Sequence, residues 1–218
     1  MARPIRKLVP VLSDDADGIC ASQSPTGAGA LTLNGALVND IGYGVPPAAQ
    51  PLEITSDGND SGNTFTVTGL DPNGITVSED ITGPSSTTVV STYYYSRIDS
   101  IVIDGAATGN ITSGFSASRG MKSSAIPLNV KQTPFNVALQ FDLTAGTMTV
   151  DVEYTMDDPQ GAYATSFDVN ANWTNVTGMG AITSDTVSNF AFGCTAVRLK
   201  QTTGSTTGAC TLTVIQGA

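Results

Sequence analysis

The residues most able to do chemistry in this chain are its carboxylates. Asp57, Asn59, Ser61 and Gly62 have the spacing of the first half of a calcium loop, with oxygen-bearing side chains at alternate positions and a glycine at the turn. The second half departs from that pattern, because position twelve, where a bidentate carboxylate belongs, is Thr68. No helical periodicity flanks the segment, so it reads as a turn between two strands and not as a metal site. Asp14, Asp15 and Asp17 form a second cluster, and Asp157 with Asp158 a third. Glycosidase chemistry needs two such carboxylates converging on a cleft. Both clusters instead lie in turn-like text. Asp157-Asp158-Pro159-Gln160-Gly161 carries the Asp, Pro and Gly of a strand-connecting loop.

The remaining machinery of catalysis is missing from the text. There is no histidine, which removes the commonest general base and the commonest transition-metal ligand together. There is no GxSxG, no phosphate-cradling GxxxxGK[ST] and no GxGxxG opening a helix. Cys20, Cys194 and Cys210 are odd in number and lack CxxC spacing. Cys194 and Cys210 would pair only if they lay on neighbouring strands, and the expectation for all three is a small buried hydrophobe. The chain reads as a non-enzyme with no catalytic residue, no metal and no cofactor.

The elements that position these residues are strands. Of 218 residues 40% are hydrophobic and only 13% charged, and Thr, Ser and Gly supply most of the other polarity. Thr, Val and Ile suit a pleated surface, while 23 Gly and 11 Pro recur too often to leave room for long helices. Residues 1–28 begin basic, turn acidic and end in Ser, Pro and Gly, which predicts a flexible N-terminal arm, with room for a short strand at Lys7 to Leu12, that orders on a partner surface. From residue 31 the pattern is strand, turn, strand. Phe65 and Val67 alternate with Thr, Asp71-Pro72-Asn73-Gly74 reads as a turn, and Ile75, Val77 and Ile81 resume the alternation, which predicts a hairpin over 64–81. Further strands are predicted over 87–95, 98–103 and 110–115. Residues 116–125 are small, polar and weakly basic, the composition of a linker. Strand signals restart over 126–130, 135–143, 148–155, 196–202 and 210–216, the clearest being Met148, Val150, Val152 and Tyr154 against Thr149, Asp151, Glu153 and Thr155. The expectation is an all-β chain of two small antiparallel β-sandwich domains, 29–118 and 119–218, behind the arm 1–28.

Charge and aromatic content narrow the partners. Nine basic against nineteen acidic residues give a net charge of −10, which repels phosphate backbones and excludes nucleic acid as a partner of the body. The basic residues gather in the arm, at Arg3, Arg6 and Lys7, and at or beside the linker, at Arg119, Lys122 and Lys131. They are the candidate docking points for an acidic or polar partner surface. Residues 157–194 hold the only Trp, Trp173, with Tyr163, Phe167, Phe190 and Phe192; these cap the second core unless an exposed subset makes an adhesive surface. A glycan-binding module would need Tyr93, Tyr94, Tyr95 and Trp173 exposed as a stacking platform. Alternation along a strand turns Tyr93 and Tyr95 one way and Tyr94 the other. No stretch approaches the ~20 apolar residues of a spanning helix, so no membrane partner is expected. Sequons at Asn59, Asn110, Asn172 and Asn175 are what a Thr- and Ser-rich chain produces by chance.

Two stretches resemble a known class of protein. ITSDGNDSGNTFTVTGLDPNGITVSEDITG, followed by YYYSRIDSIVIDGAATGNITSGF, is similar to a hairpin-and-aromatic-strand segment of tailed-bacteriophage virion proteins. TVDVEYTMDDP, Trp173 and AVRLKQTTGSTTGACTLTVIQG look like a second small phage structural module. The resemblance spans about residues 50–218 and implies a non-catalytic capsid decoration or cement protein, made in the host cytoplasm and carried on the virion. Its partners would then be the major capsid protein or other virion proteins. A homo-oligomer, a trimer at local threefold positions, is implied by the same analogy. The alternatives left open are a neck, tail or fibre component and the host-glycan-binding module.

Overall fold

The structure, a computed structural model, describes residues 4–158, 167–203 and 205–217. Its strands are β1 (Ile5–Val9), β2 (Asp15–Gln23), β3 (Gly29–Ala30), β4 (Gln50–Ser56), β5 (Thr64–Leu70), β6 (Thr76–Thr82), β7 (Thr88–Tyr95), β8 (Arg97–Ile103) and β9 (Ile111–Phe115). They continue with β10 (Ile126–Pro127), β11 (Val137–Ala145), β12 (Thr149–Thr155), the one-turn helix α1 (Phe167–Asn170), β13 (Thr174–Asn175), β14 (Thr186–Phe190), β15 (Ala196–Thr203) and β16 (Ala209–Gln216). The chain is all-β, with four antiparallel sheets of four strands each.

The chain forms two compact units, and one interrupts the other. Ser13–Ser118 is the inserted unit; Met1–Leu12 together with Arg119–Ala218 make the split unit. The inserted unit has sheets in the order β2-β9-β4-β7 and β3-β8-β5-β6. Its core sets Ile19, Leu52, Ile54, Tyr95, Ile111 and Phe115 of one sheet with Phe65, Val67, Ile98, Ile101 and Ile103 of the other. The split unit has the orders β1-β16-β11-β14 and β10-β15-β12-β13. Numbered from one to eight within its own unit, each pair of sheets reads 1-8-3-6 and 2-7-4-5. That is the strand order of a jelly roll, an eight-stranded pair of Greek keys, and the chain contains it twice.

This topology makes the insertion physically simple. A jelly roll pairs its first strand with its last, so the two ends of one unit lie side by side, and a domain whose ends are adjacent fits into a connection of another. In the inserted unit Asp15 is in register with Phe115. Gln50, fully buried, ties the same two ends together: its Nε2 donates to Ser13 O at 2.7 Å and Ser116 O at 3.3 Å, and its Oε1 accepts from Ser13 N at 3.2 Å. Asp14 Oδ1 adds a bond from Ala117 N at 3.0 Å.

Residues 1–28 are therefore not an arm. β1 is paired along its whole length with β16, Ile5 with Val214 to Val9 with Cys210, and β2 is paired with β9. Ile5 and Leu8 are exposed, but Val9, Leu12, Ile19 and Cys20 are buried. Backbone ladders to distant parts of the same chain order it, and those leave no trace in local hydrophobicity. The expected linker 116–125 is also built in, because Met121 O accepts from Gln201 N at 2.8 Å and Ser123 N donates to Leu199 O at 2.8 Å, alongside β15.

The predicted hairpin is β5 and β6, in register from Thr64 with Thr82 to Leu70 with Thr76. Asp71 closes its turn, its Oδ1 accepting from Asn73 N at 2.8 Å and Ile75 N at 2.9 Å. Gly74 takes φ +80° there, a conformation that a side chain strains.

The same topology leaves a faint repeat in the sequence. Residues 98–115 and 197–214, the last two strands of each unit and the loop between them, align without a gap. Both carry G-x-x-T-G-x-x-T, as Gly105, Thr108, Gly109 and Thr112 and as Gly204, Thr207, Gly208 and Thr211. Along this alignment Ile111, Ser113 and Phe115 match Cys210, Leu212 and Val214, and all six are buried.

Because the inserted unit has its own core and tied ends, Ser13–Ser118 expressed alone is expected to fold, with a cooperative thermal transition followed by circular dichroism. A fragment lacking native β signal and a transition would show that the insertion depends on its host.

Candidate interaction surface

The predicted docking cations differ in their surroundings. Arg3 lies outside the described residues. Arg6 is exposed on β1, opposite Thr213. Lys7 is half-buried and its Nζ donates to Ser124 Oγ at 2.6 Å. Arg119 is exposed, and Lys131 is exposed in a turn whose backbone N–H is held by Asn129 Oδ1 at 3.1 Å.

Lys122 serves the interior instead. Glu153 and Arg198 stand opposite each other on β12 and β15, on the face away from Val152 and Leu199, and are only 5% and 4% exposed. Arg198 Nε donates to Glu153 Oε2 at 2.7 Å, and its Nη1 pairs with Asp168 of α1. Lys122 Nζ reaches the other Asp168 oxygen at 2.9 Å, and Lys200 Nζ reaches Glu153 Oε1 at 3.4 Å. Burial pushes the Lys122 ammonium below its usual range although Asp168 pulls it upward. The Arg198 guanidinium lies 3.9 Å from the centre of the Trp173 ring, which meets Phe167 edge-on at 5.5 Å. Two acids and three bases thus fasten α1 and Trp173 onto the sheet.

The aromatic platform is likewise absent at the predicted place. Tyr93 and Tyr95 do share a side, with rings 6.5 Å apart, but Tyr95 is fully buried, Tyr94 is 6% exposed on the other side and Tyr93 is half-buried. Tyr95 Oη donates to Glu79 Oε2 at 3.3 Å, and Glu79 also accepts from the N–H groups of Thr92 and Tyr93. These tyrosines join two sheets. Trp173 is half-buried under Arg198.

A different aromatic group reaches the surface of the split unit. Phe190 and Phe192 are 5.2 Å apart, Tyr154 lies 5.0 Å from Phe192 and 6.1 Å from Phe190, and Phe135 stacks on Phe190 at 6.3 Å. Phe190 and Phe167 are buried as expected, whereas Phe192 is 43% and Met156 62% exposed. Tyr154, Thr155, Met156, Asp157, Asn172 and Thr174 line a hollow of about 160 Å³ beside it. Tyr163 lies outside the described residues, as do Pro159, Gln160 and Gly161 of the predicted loop. Exposed aromatic and Met side chains are what the centres of protein interfaces are enriched in.

The carboxylate clusters are structural. Asp57 accepts from Asn110 N at 2.6 Å and Asn110 Nδ2 at 2.8 Å. Asp60, 1% exposed, accepts from Ser56 Oγ at 2.5 Å, Asn63 Nδ2 at 3.2 Å, and Thr108 N and Oγ1 at 2.7 and 3.2 Å. Asn59 Oδ1 accepts from Ser61. The candidate calcium loop therefore turns its oxygens on the chain's own donors and binds the β4–β5 loop to the β8–β9 loop. Asp157 Oδ2 accepts from Asn172 N at 2.6 Å. The three cysteines are buried and free, Cys194 and Cys210 included, and burial pushes each thiol up to about 12, leaving it unreactive at neutral pH.

Compared with protein-family models, with curated proteins and with solved structures, the chain matches none.

Two outcomes follow from these networks. Arg198→Met leaves Asp168 to Lys122 and Glu153 to the part-exposed Lys200 and, by removing the charged donor both acids share, is expected to destabilise the split unit by about 1–3 kcal/mol in denaturant unfolding; no measurable loss would mean that the network carries no weight. The hydrogen bonds from Asn110 hold Asp57 below the usual carboxylate range, and at Asp60 four donors outweigh the upward push of burial. A depressed folded-state pKa contributes stability above the unfolded value, about 3.9, that is lost as pH falls through the folded value. Burial raises Glu53 and Asp15, so their small opposite effect is relieved first. The inserted unit should hold its melting temperature down to about pH 4 and lose it steeply below. Asp60→Asn should flatten that fall.

Proposed function

We propose that this chain is a non-enzymatic structural protein of a bacteriophage particle, a decoration or cement protein that binds the major capsid protein shell and stabilises it. The observation that carries the reading is the doubled jelly roll, a fold that recurs in viral capsid and lectin domains, in a chain whose text resembles phage virion modules. Fold analogy is a warrant for class and not for chemistry. The chemistry agrees on separate grounds: Asp57, Asp60, Asp157, Glu79, Glu153 and Asp168 all accept bonds or ion pairs from the chain's own donors, which employs them as fasteners.

Two units joined covalently give such a protein two contact areas on one chain. Each engagement raises the effective concentration of the other, so modest contacts repeated over a shell hold it against internal pressure. The exposed Phe192 and Met156, with the exposed Arg6, Arg119 and Lys131, are the side chains for that work.

The test is the number of copies per purified particle, by quantitative mass spectrometry against the major capsid protein. Hundreds, commensurate with the shell, are expected, since an icosahedral shell repeats each interface many times. Six or twelve copies would move the chain to the neck or tail, and absence from the particle would overturn the virion reading.

A further inference from the structure

The two jelly rolls finish the same end differently, and the contrast draws attention to an open depression. In the inserted unit the β4–β5, β6–β7 and β8–β9 loops meet at one end and are filled by their own groups. Asp60 takes donors from both sides, Ser86 N donates to Gly58 O at 2.7 Å, and Asp60 N donates to Pro84 O at 2.8 Å. Gly58 and Gly109 approach so closely that a Cβ on Gly109 would lie 2.2 Å from Gly58 N. The end is closed.

In the split unit the matching loops are β11–β12, β13–β14 and β15–β16. Ser205 Oγ donates to Thr147 O at 2.6 Å and accepts from Thr207 N and Gly208 N at 3.3 and 3.1 Å, which joins the first loop to the third. A Cβ on Gly208 would meet Thr147 O at 2.7 Å, the same close approach as at Gly109. Asp185 of the second loop accepts from Leu143 N of β11 at 2.9 Å, but among the described residues no carboxylate joins the first loop to the third as Asp60 does. What remains is a depression of about 470 Å³ lined by Thr147, Met148, Thr149, Thr183, Thr203 and Ser205.

Its walls are firm. Thr149 and Thr203 are in register on neighbouring strands, and Thr183 follows Ile182, whose N–H and C=O both bond Val150, at 2.8 and 3.0 Å. Among the described residues the lining carries the hydroxyls of Thr147, Thr149, Thr183 and Thr203, a Ser205 hydroxyl already spent on its own loops, one thioether and no charged side chain. A hydroxyl both donates and accepts, so the ligand that matches this lining offers the same dual capacity without charge. Cations would require carboxylates here and anions would require cationic groups. We propose that this end of the split unit is a binding site for a neutral saccharide. The site is independent of the virion reading and is tested on the isolated chain.

The experiment is a two-dimensional amide NMR titration of the full chain with glucose, N-acetylglucosamine and maltose up to 100 mM, with sodium sulfate as the charged control. The expected result is saturable shifts confined to amides around Thr149, Thr183 and Thr203 for at least one sugar, none for sulfate, and at least tenfold weaker binding in Thr149→Val/Thr203→Val. Thr183→Ala, on an exposed loop residue, serves if the double variant fails to fold. Absence of saturable shifts with all three sugars overturns the proposal. So do shifts centred on Phe192, equal binding of sulfate, or unchanged affinity in both variants.

Discussion

The pairing of the first strand of each unit with its last is the constraint on which the rest depends. β1 lies on β16 and β2 on β9, and in each case a strand from the start of the unit closes a sheet with one from its end, about a hundred residues later in the inserted unit and about two hundred in the split one. That closure sets the two ends of Ser13–Ser118 side by side, which is why a whole domain can sit within the connection between β1 and β10. It also makes the fold non-local: neither first strand has a partner until the last is made, an order of events that slows folding through loop closure. The Gln50 bonds to Ser13 and Ser116 repay that closure locally, since a fully buried amide with both ends satisfied is expensive to pull apart.

Given one scaffold twice, the differences between copies show what each part of the text does. The G-x-x-T-G-x-x-T signature persists because its second glycine faces backbone across the loop in both units, Gly58 in one and Thr147 in the other. The carboxylates do not persist. They appear where a loop or insertion has to be fastened, as Asp60 fastens the loops of the inserted unit and Asp168 fastens α1 in the split one. A carboxylate with four acceptor sites is well suited to collecting stray loop N–H and O–H donors, and an acidic composition arises from that use without any catalytic purpose.

Legibility followed the range of the interaction. The hairpin over 64–81 was readable because turn and alternation are adjacent in sequence, and β7, β8, β9, β11, β12, β15 and β16 fall within a few residues of their predicted spans. The order of the sheets was not readable, since it depends on pairings between remote segments. The same limit turned β1 and β2 into an apparent arm. Lys122 misled for a related reason: a cation in small polar text looks exposed, and only the approach of Asp168 from another segment draws it inward, whereas Trp173, read as a cap of the second core, does lie half-buried under Arg198. The repeat over 98–115 and 197–214 was a signal present in the text, but four shared Gly and Thr positions stand out only once the strands around them are known to correspond.

The disposition of charge follows from the same architecture. Of the nine basic residues, Arg97, Lys122, Arg198 and Lys200 are engaged in ion pairs within their own units, and Lys7 is held by Ser124. Cations are thus drawn inward while much of the acidic excess stays near solvent, where it favours solubility and repels other polyanions. A surface of that kind gains little from long charged side chains at a contact, because exposed pairs contribute only ~0–1 kcal/mol each. On the proposed reading the firmer contacts come from the groups at the ends of the sandwich, above all the aromatic cluster around Phe192, with Arg6, Arg119 and Lys131 adding less. Those ends are loops carried on paired strands, so the rigidity that the first-to-last pairing gives each unit is also what holds its contact groups in place.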